Sequence, residues 1–143
     1  DKMDFTTNFQ ICGSGLSAQR AKMDVITSNL ANAGTTKTAE GGPYRRKMVV
    51  LRAEDVDEPF DKTLRGALAE VKVDQVAEDP SHMKSVYDPA HPDADEKGFV
   101  LLPNVNAITE MADMINVGRN YEAVVTAFDA TKSMALKTLE IGK

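Results

Sequence analysis

The stretch SGLSAQRAKMDVITSNLANAGTT, residues 14–36, decides how the chain is built. Leu16, Met23 and Leu30 recur every seven residues and Ile26 fills the slot between the last two, so one stripe of a helix is apolar. Upstream, Phe5, Phe9 and Cys12 continue the same alternation of four and three, with Gln19 in the one slot the series skips. Gly13, Gly15, Ser17, Ala18, Ala21 and Ala31 lie between the large residues and are small enough to let a neighbouring helix approach closely. Gly13 and Gly15 each cost about 1 kcal/mol relative to alanine in an isolated helix, a cost that close packing is expected to offset. The helix is predicted to end near residues 32–34, where Asn and Gly tolerate the left-handed conformation that closes a helix.

A second long helix is expected at the other end of the chain, beginning after Pro103 with Asn104 as its cap and running to about Ile141. Ile115, Tyr121, Val125, Phe128, Leu136 and Leu139, with Ile108, Met111, Met114, Val117 and Val124, cover about half its circumference at the helical period. Its other face is small rather than charged, with Thr109, Ala123, Thr126, Ala127 and Ala130. Such a helix suits contact on more than one side.

Between the helices the pattern changes. YRRKMVVLR, residues 44–52, and LAEVKVDQVA, residues 68–77, are strand-like, and FVLL, residues 99–102, is a shorter candidate. The acidic residues 54–61 form the expected loop between the first two, and the three prolines of residues 80–92 predict an extended, turn-rich return. Arg45, Arg46 and Lys47 are expected on the solvated face of a strand. The fold class is therefore α+β: two long terminal helices packed as a coiled-coil-like pair flank a small β-rich middle module. Residues 1–34 and 104–143 are the helices of one core domain, and residues 35–103 the connector and module.

Composition excludes several functions. The chain has 143 residues, 17 Lys and Arg against 22 Asp and Glu, and a net charge of -5, which gives no electrostatic case for nucleic acid. Aromatics make up 6% with no Trp, while Met numbers seven, a profile suited to helix packing. A single cysteine permits neither an internal disulfide nor a thiolate metal cluster, and Cys12 is read as a small buried hydrophobe. No apolar run approaches the ~20 residues of a membrane-spanning helix, so no integral membrane protein is expected. The N-terminus lacks the pattern of a cleavable secretory signal.

Catalytic and cofactor readings fail on pattern. His82 and His91 lie in the Pro-rich stretch with no nucleophile motif beside them. Asp93 to Glu96 is acidic but lacks calcium-loop spacing. Gly13, Ser14 and Gly15 follow no strand, so they are not a phosphate loop, and no paired-carboxylate constellation for a peptidoglycan hydrolase stands out. No enzyme, cofactor or metal is expected.

The layout leaves a physical problem. Helices of about 40 Å and over 50 Å, at ~1.5 Å per residue, are large beside such a small module, and paired alone they cannot cover each other's apolar faces. Burying one large side chain contributes roughly 1.5 to 3 kcal/mol, against roughly 1 to 2 kcal/mol to fix each backbone residue. The termini are therefore expected to be frayed in a free monomer and ordered by copies of themselves or by relatives.

At this point a resemblance enters. Ser28-Asn29-Leu30-Ala31-Asn32, with Gly15-Leu16 upstream, is similar to the N-terminal motif of bacterial flagellar axial proteins, the rod, hook and hook-associated subunits. EGGPYRRKMVVL (residues 40–51), HPDADEKGFVLLPNVN (91–106) and NYEAVVTAFDATKSMALKTLEIGK (120–143) resemble the flagellar basal-body rod family, and the proximal rod subunits in particular. The resemblance implies a structural subunit exported unfolded through the flagellar type III apparatus, without a cleavable signal, and polymerising helically in the periplasm. Its terminal helices would form the inner tube around the export channel, with the β module outside. The implied partners are further proximal and distal rod subunits, the rod-base adaptor and the membrane-ring protein. A soluble helical adaptor or chaperone-like oligomer is the alternative, distinguished by discrete stoichiometry and ordered termini.

Two groups of candidate residues follow. Phe5, Phe9, Leu16, Met23, Ile26, Leu30, Ile115, Tyr121, Val125, Phe128, Leu136 and Leu139 are the expected subunit-packing set. Ser28, Asn29 and Asn32 are the expected joint, in which the amides of Asn29 and Asn32, three apart on one helix surface, bond backbone groups of the connector or of an adjoining subunit.

Overall fold

The structure, a computed structural model, describes residues 2–56 and 68–142, with side chains from Phe5 onward. Two helices, α1 (Lys2–Ala31) and α2 (Ala107–Ile141), enclose four strands in chain order: β1 (Lys47–Asp55), β2 (Ala69–Glu78), β3 (Lys84–Tyr87) and β4 (Phe99–Leu102). The α+β architecture with long flanking helices is the one the sequence predicts. At ~1.5 Å per residue α1 is about 45 Å long and α2 about 52 Å.

The helices run antiparallel: Phe9 stacks on Phe128 with ring centroids 4.9 Å apart near one end, and Asn29 meets Glu110 near the other. The apolar stripe of α1 is turned toward this pairing, with Ala18 and Ile26 buried on α1 and Val117 on α2. Gly15 lies against α2, where a Cβ would stand 3.6 Å from a Val124 methyl, an ordinary van der Waals distance. Gly13 departs from the packing expectation, because a Cβ there would meet nothing within 4 Å. Within the chain, close approach accounts for Gly15 alone of the two.

The start of α2 also differs from the sequence reading. The cap is Asn106, whose Oδ1 accepts from the Ile108 and Thr109 amides at 3.1 and 3.3 Å, and the helix begins at Ala107. Asn104 instead accepts from the Arg46 amide at 2.7 Å and donates to Ser81 and Asp79. Both asparagines have capping chemistry, and the strand pairing claims the first.

β1 and β2 form an antiparallel pair from Lys47 opposite Glu78 to Asp55 opposite Ala69, with a register shift between Val50 and Leu51 that leaves Asp74 unpaired. Both strands begin and end a few residues from the predicted limits. Glu54 and Asp55 belong to β1 rather than to the acidic loop, and the rest of that loop, 57–61, lies outside the described residues. The pair leans on α1, where Ser14 Oγ accepts from the Val71 amide at 3.1 Å and Gln10 Nε2 donates to Glu70 at 2.9 Å.

The Pro-rich return holds a strand the sequence reading did not anticipate: β3 pairs antiparallel with β4, and Tyr87 meets Phe99 edge to face at 5.3 Å. The chain between them turns on Gly98, at φ +81°, where a Cβ would stand 2.9 Å from the Tyr87 ring. Only glycine fits this position, for its backbone and for its space. Val100 of β4 and Pro103 and Val105 just after it are buried.

Candidate interaction site at the joint of helix and sheet

The best-buried polar cluster of the described residues lies where α1, the first residues of β1 and the start of α2 converge. Asn29 and Glu110 are each 1% exposed, and Asn29 Nδ2 donates to Glu110 at 3.2 Å. The same amide brackets Lys47, donating to its carbonyl at 2.8 Å and accepting from its N–H at 2.9 Å. Tyr44, itself buried, donates its hydroxyl to Asn29 Oδ1 at 2.9 Å and lies 3.2 Å from Ser28 Oγ. An amide side chain is the one uncharged group that can offer donor and acceptor side by side to a backbone, so asparagine is dictated here.

Glu110 is a charge in a buried place and is paired accordingly. It accepts from Arg46 Nε through Oε1 and from Asn29 through Oε2. Arg46 in turn reaches Asp79 at 3.2 Å. The guanidinium is held above its ordinary pKa chiefly by the hydrogen bond to Glu110, so it stays charged throughout the accessible pH range. Asp79 is held below the ordinary carboxylate range, first by the Ser81 amide and hydroxyl and then by Arg46. A buried ion pair is tolerated when its remaining bonds are made, and here they tie helices and sheet together.

This arrangement corrects the reading of Arg46 as a solvated strand residue; Lys47 alone of the basic run is exposed, and Arg45 donates to the Asp79 and Ser81 carbonyls. Asn29 bonds to the backbone of Lys47, the first residue of β1, rather than to the connector before it. Asn32 turns back on its own helix end, donating to the Ser28 carbonyl at 2.9 Å and accepting from the Thr35 hydroxyl at 3.1 Å. Sequence reasoning missed Tyr44, Arg46, Asp79, Asn104 and Glu110. The one available signal was Glu110, a charge at helical spacing seven before the apolar Val117.

The packing set divides by exposure. Ile26 is buried; Phe5, Phe9, Leu16, Met23, Leu30, Tyr121, Val125 and Phe128 are partly buried; Ile115, Leu136 and Leu139 are exposed. Exposed large apolar residues are absent from the described part of α1; on α2 Ile108, Met111, Met134 and Ile141 join those three, and as many again lie in the β module between Leu68 and Leu101. The acidic Asp93 to Glu96 segment is engaged locally: Asp93 accepts from the Thr36 hydroxyl at 2.7 Å, and Asp95 accepts from the Lys97 and Phe99 amides. His91 Nδ1 accepts from the Asp93 amide. Among the described residues no group of His, Cys, Asp and Glu converges as metal ligands, and no helix is long and apolar enough to cross a membrane.

Comparison with known proteins places these features in a family. Residues 9–37 match the family model described as flagella basal body rod protein, and residues 96–141 match flagellar basal body rod FlgEFG protein C-terminal. The two matches take in α1 from Phe9 onward with its joint, and all of α2. The flagellar basal-body rod protein FlgC of Bacillus subtilis is 44% identical over 147 residues, covering 95% of this chain and 97% of that protein. Those of Borreliella burgdorferi and Yersinia enterocolitica are 41% and 39% identical, covering 97% and 99% of this chain and 98% and 100% of their own lengths. With two long helices locked to a small sheet by Asn29 and Glu110, and with relatives alike from end to end, the chain belongs to the flagellar basal-body rod protein FlgC family.

Proposed function

We propose that this chain is a structural subunit of the flagellar proximal rod, polymerising helically with other rod proteins to form the drive shaft and the wall of the export channel. The observation that carries the reading is the apolar surplus of α2. Seven large apolar residues of this helix stand exposed although α1 already covers its inner face, and end-to-end similarity to rod proteins supports a rod subunit as the neighbour that covers them. Exposed apolar surface of this extent marks an interaction site.

In this reading the helices form the inner tube and residues 35–103 face outward, with the joint at Asn29 and Glu110 setting the angle between them. The subunit travels unfolded through the export apparatus without a cleavable signal and assembles in the periplasm. Its neighbours are proximal and distal rod subunits, the rod-base adaptor and the membrane-ring protein. Its role is mechanical, and no catalytic step is assigned to it.

Reconstruction of isolated basal bodies is the test: the chain should occupy the proximal rod, helices innermost. Its absence from purified basal bodies of a motile strain would overturn the reading. Limited proteolysis separates it from a discrete adaptor, because a rod subunit exposes residues 1–30 and 110–143 to protease before assembly and an adaptor protects them.

A further inference from the structure

The first half of α2 turns one apolar stripe away from α1. Ile108, Met111 and Ile115 are 80%, 57% and 57% exposed, at steps of three and four, and no part of the described chain covers them. The stripe continues along the helix into two exposed charges, Arg119 and then Glu122. On its own outward side α1 carries Arg20, Asp24, Thr27 and Ala31, again at steps of three and four, all exposed. None of these four charges has an ion pair within the described chain at 4.0 Å or less.

We propose that the outward face of α2 docks on the outward face of α1 of a second copy, antiparallel, with Arg119 against Asp24 and Glu122 against Arg20. The proposal rests on the rod reading and adds which faces meet and in what register. Charge order decides the direction. Each helix presents a cation first and an anion second along the chain, so a parallel pairing sets like against like, and an antiparallel one sets each charge against its opposite.

The same alignment brings large residues onto small ones: Ile115 falls on Thr27 and Met111 on Ala31, so the apolar stripe gains a slim surface to pack on. Further along, Gly13, where a Cβ would meet nothing within 4 Å among the described residues, comes opposite Ala130 and allows the backbones to close in. Antiparallel is also the relation α1 and α2 already have, as Phe9 with Phe128 and Asn29 with Glu110 show. Copies set side by side with one polarity therefore continue the alternation α1, α2, α1, α2. The two faces are different surfaces of one chain, so the contact is head-to-tail and does not close on itself after two copies.

The test uses the full chain in a Cys12→Ser background. Thr27→Cys and Ile115→Cys proteins are prepared separately, mixed, concentrated and oxidised, so that any disulfide between the two positions is intermolecular. A crosslinked dimer only in the mixture is the expected result. Asp24→Arg and Arg119→Asp should each raise the concentration needed for sedimentable assembly about five- to tenfold, and the paired double variant should return it to within about twofold, with unchanged circular dichroism throughout. Sedimentable assembly without the mixed crosslink overturns this pairing and leaves the rod reading standing. Failure of the chain to assemble at any concentration overturns the pairing of two copies, while the rod reading stands or falls with the basal-body reconstruction. Disulfides formed only to a cysteine variant of an added rod relative, with none between the two variants, overturn a second copy as the occupant.

Discussion

Asn29 stands 3.2 Å from Glu110 across the helix pair, both at 1% exposure, and the same amide holds both backbone groups of Lys47. One side chain therefore fixes three elements at once: the end of α1, the start of β1 and the first turn of α2.

Truncating it should be costly out of proportion to its size. Asn29→Ala leaves the Lys47 amide and carbonyl and one Glu110 oxygen without a partner in a dry site and the Tyr44 hydroxyl with Ser28 alone, about 2 to 4 kcal/mol in all. A thermal melt of the purified chain should fall by at least about 5 °C. In cells, Asn29→Ala should reduce motility and rod assembly while export is unaffected. Asn32→Asp, which removes a donor to the Ser28 carbonyl, should act in the same direction more weakly. Normal swimming in both variants would show that the joint does not set the assembled geometry.

The two partners of the buried ion pair should differ in consequence. Arg46→Met strands the Glu110 carboxylate where water cannot reach it, at about 3 to 5 kcal/mol. Glu110→Gln keeps a group able to accept from Arg46 and donate elsewhere, and leaves a partly exposed guanidinium that still has Asp79. Chemical denaturation should rank Arg46→Met clearly below Glu110→Gln; equal losses would mean that the charge on Glu110 is not what matters.

Acid should loosen the joint at Asp79. Its folded pKa lies below the ordinary value because the Ser81 amide and hydroxyl and the Arg46 guanidinium stabilise the carboxylate. The stability this contributes is therefore present above the unfolded Asp pKa, about 4, and is lost as pH falls through the lower folded value. Arg46, raised by Glu110, keeps its contribution at every pH below the ordinary arginine value. Denaturation midpoints measured downward from pH 5 should fall less steeply in Asp79→Asn than in the parent chain.

The turn before β4 offers a local test. Gly98→Ala places a methyl 2.9 Å from the Tyr87 ring on a backbone at φ +81°. Strain of this kind costs about 1 to 3 kcal/mol. Hydrogen exchange should accelerate at Val86 and Val100 while the amides of the β1–β2 pair keep their protection.

How much of this was legible in the sequence depends on how far each residue's role is local. The alternation from Phe5 to Leu30 exposes a helix because each residue reports its own face, and the same holds for α2. Asn29 stood out because its neighbours form a recognisable motif. Arg46 and Glu110 did not, since each is ordinary in its own segment and acquires meaning only when two residues 64 positions apart meet. Asn104 and Asn106 show the same limit on a smaller scale: two capping residues lie two apart, and only tertiary pairing decides which one caps. β3 escaped notice because prolines flank it and its partner lies beyond a long turn.

The bracket that Asn29 places on Lys47 has one more effect. The amide and carbonyl of Lys47 point away from β2, where another chain's strand could add itself to the sheet. With both groups already engaged by a side chain of α1, the sheet border is closed to a stray strand at the residue where β1 begins.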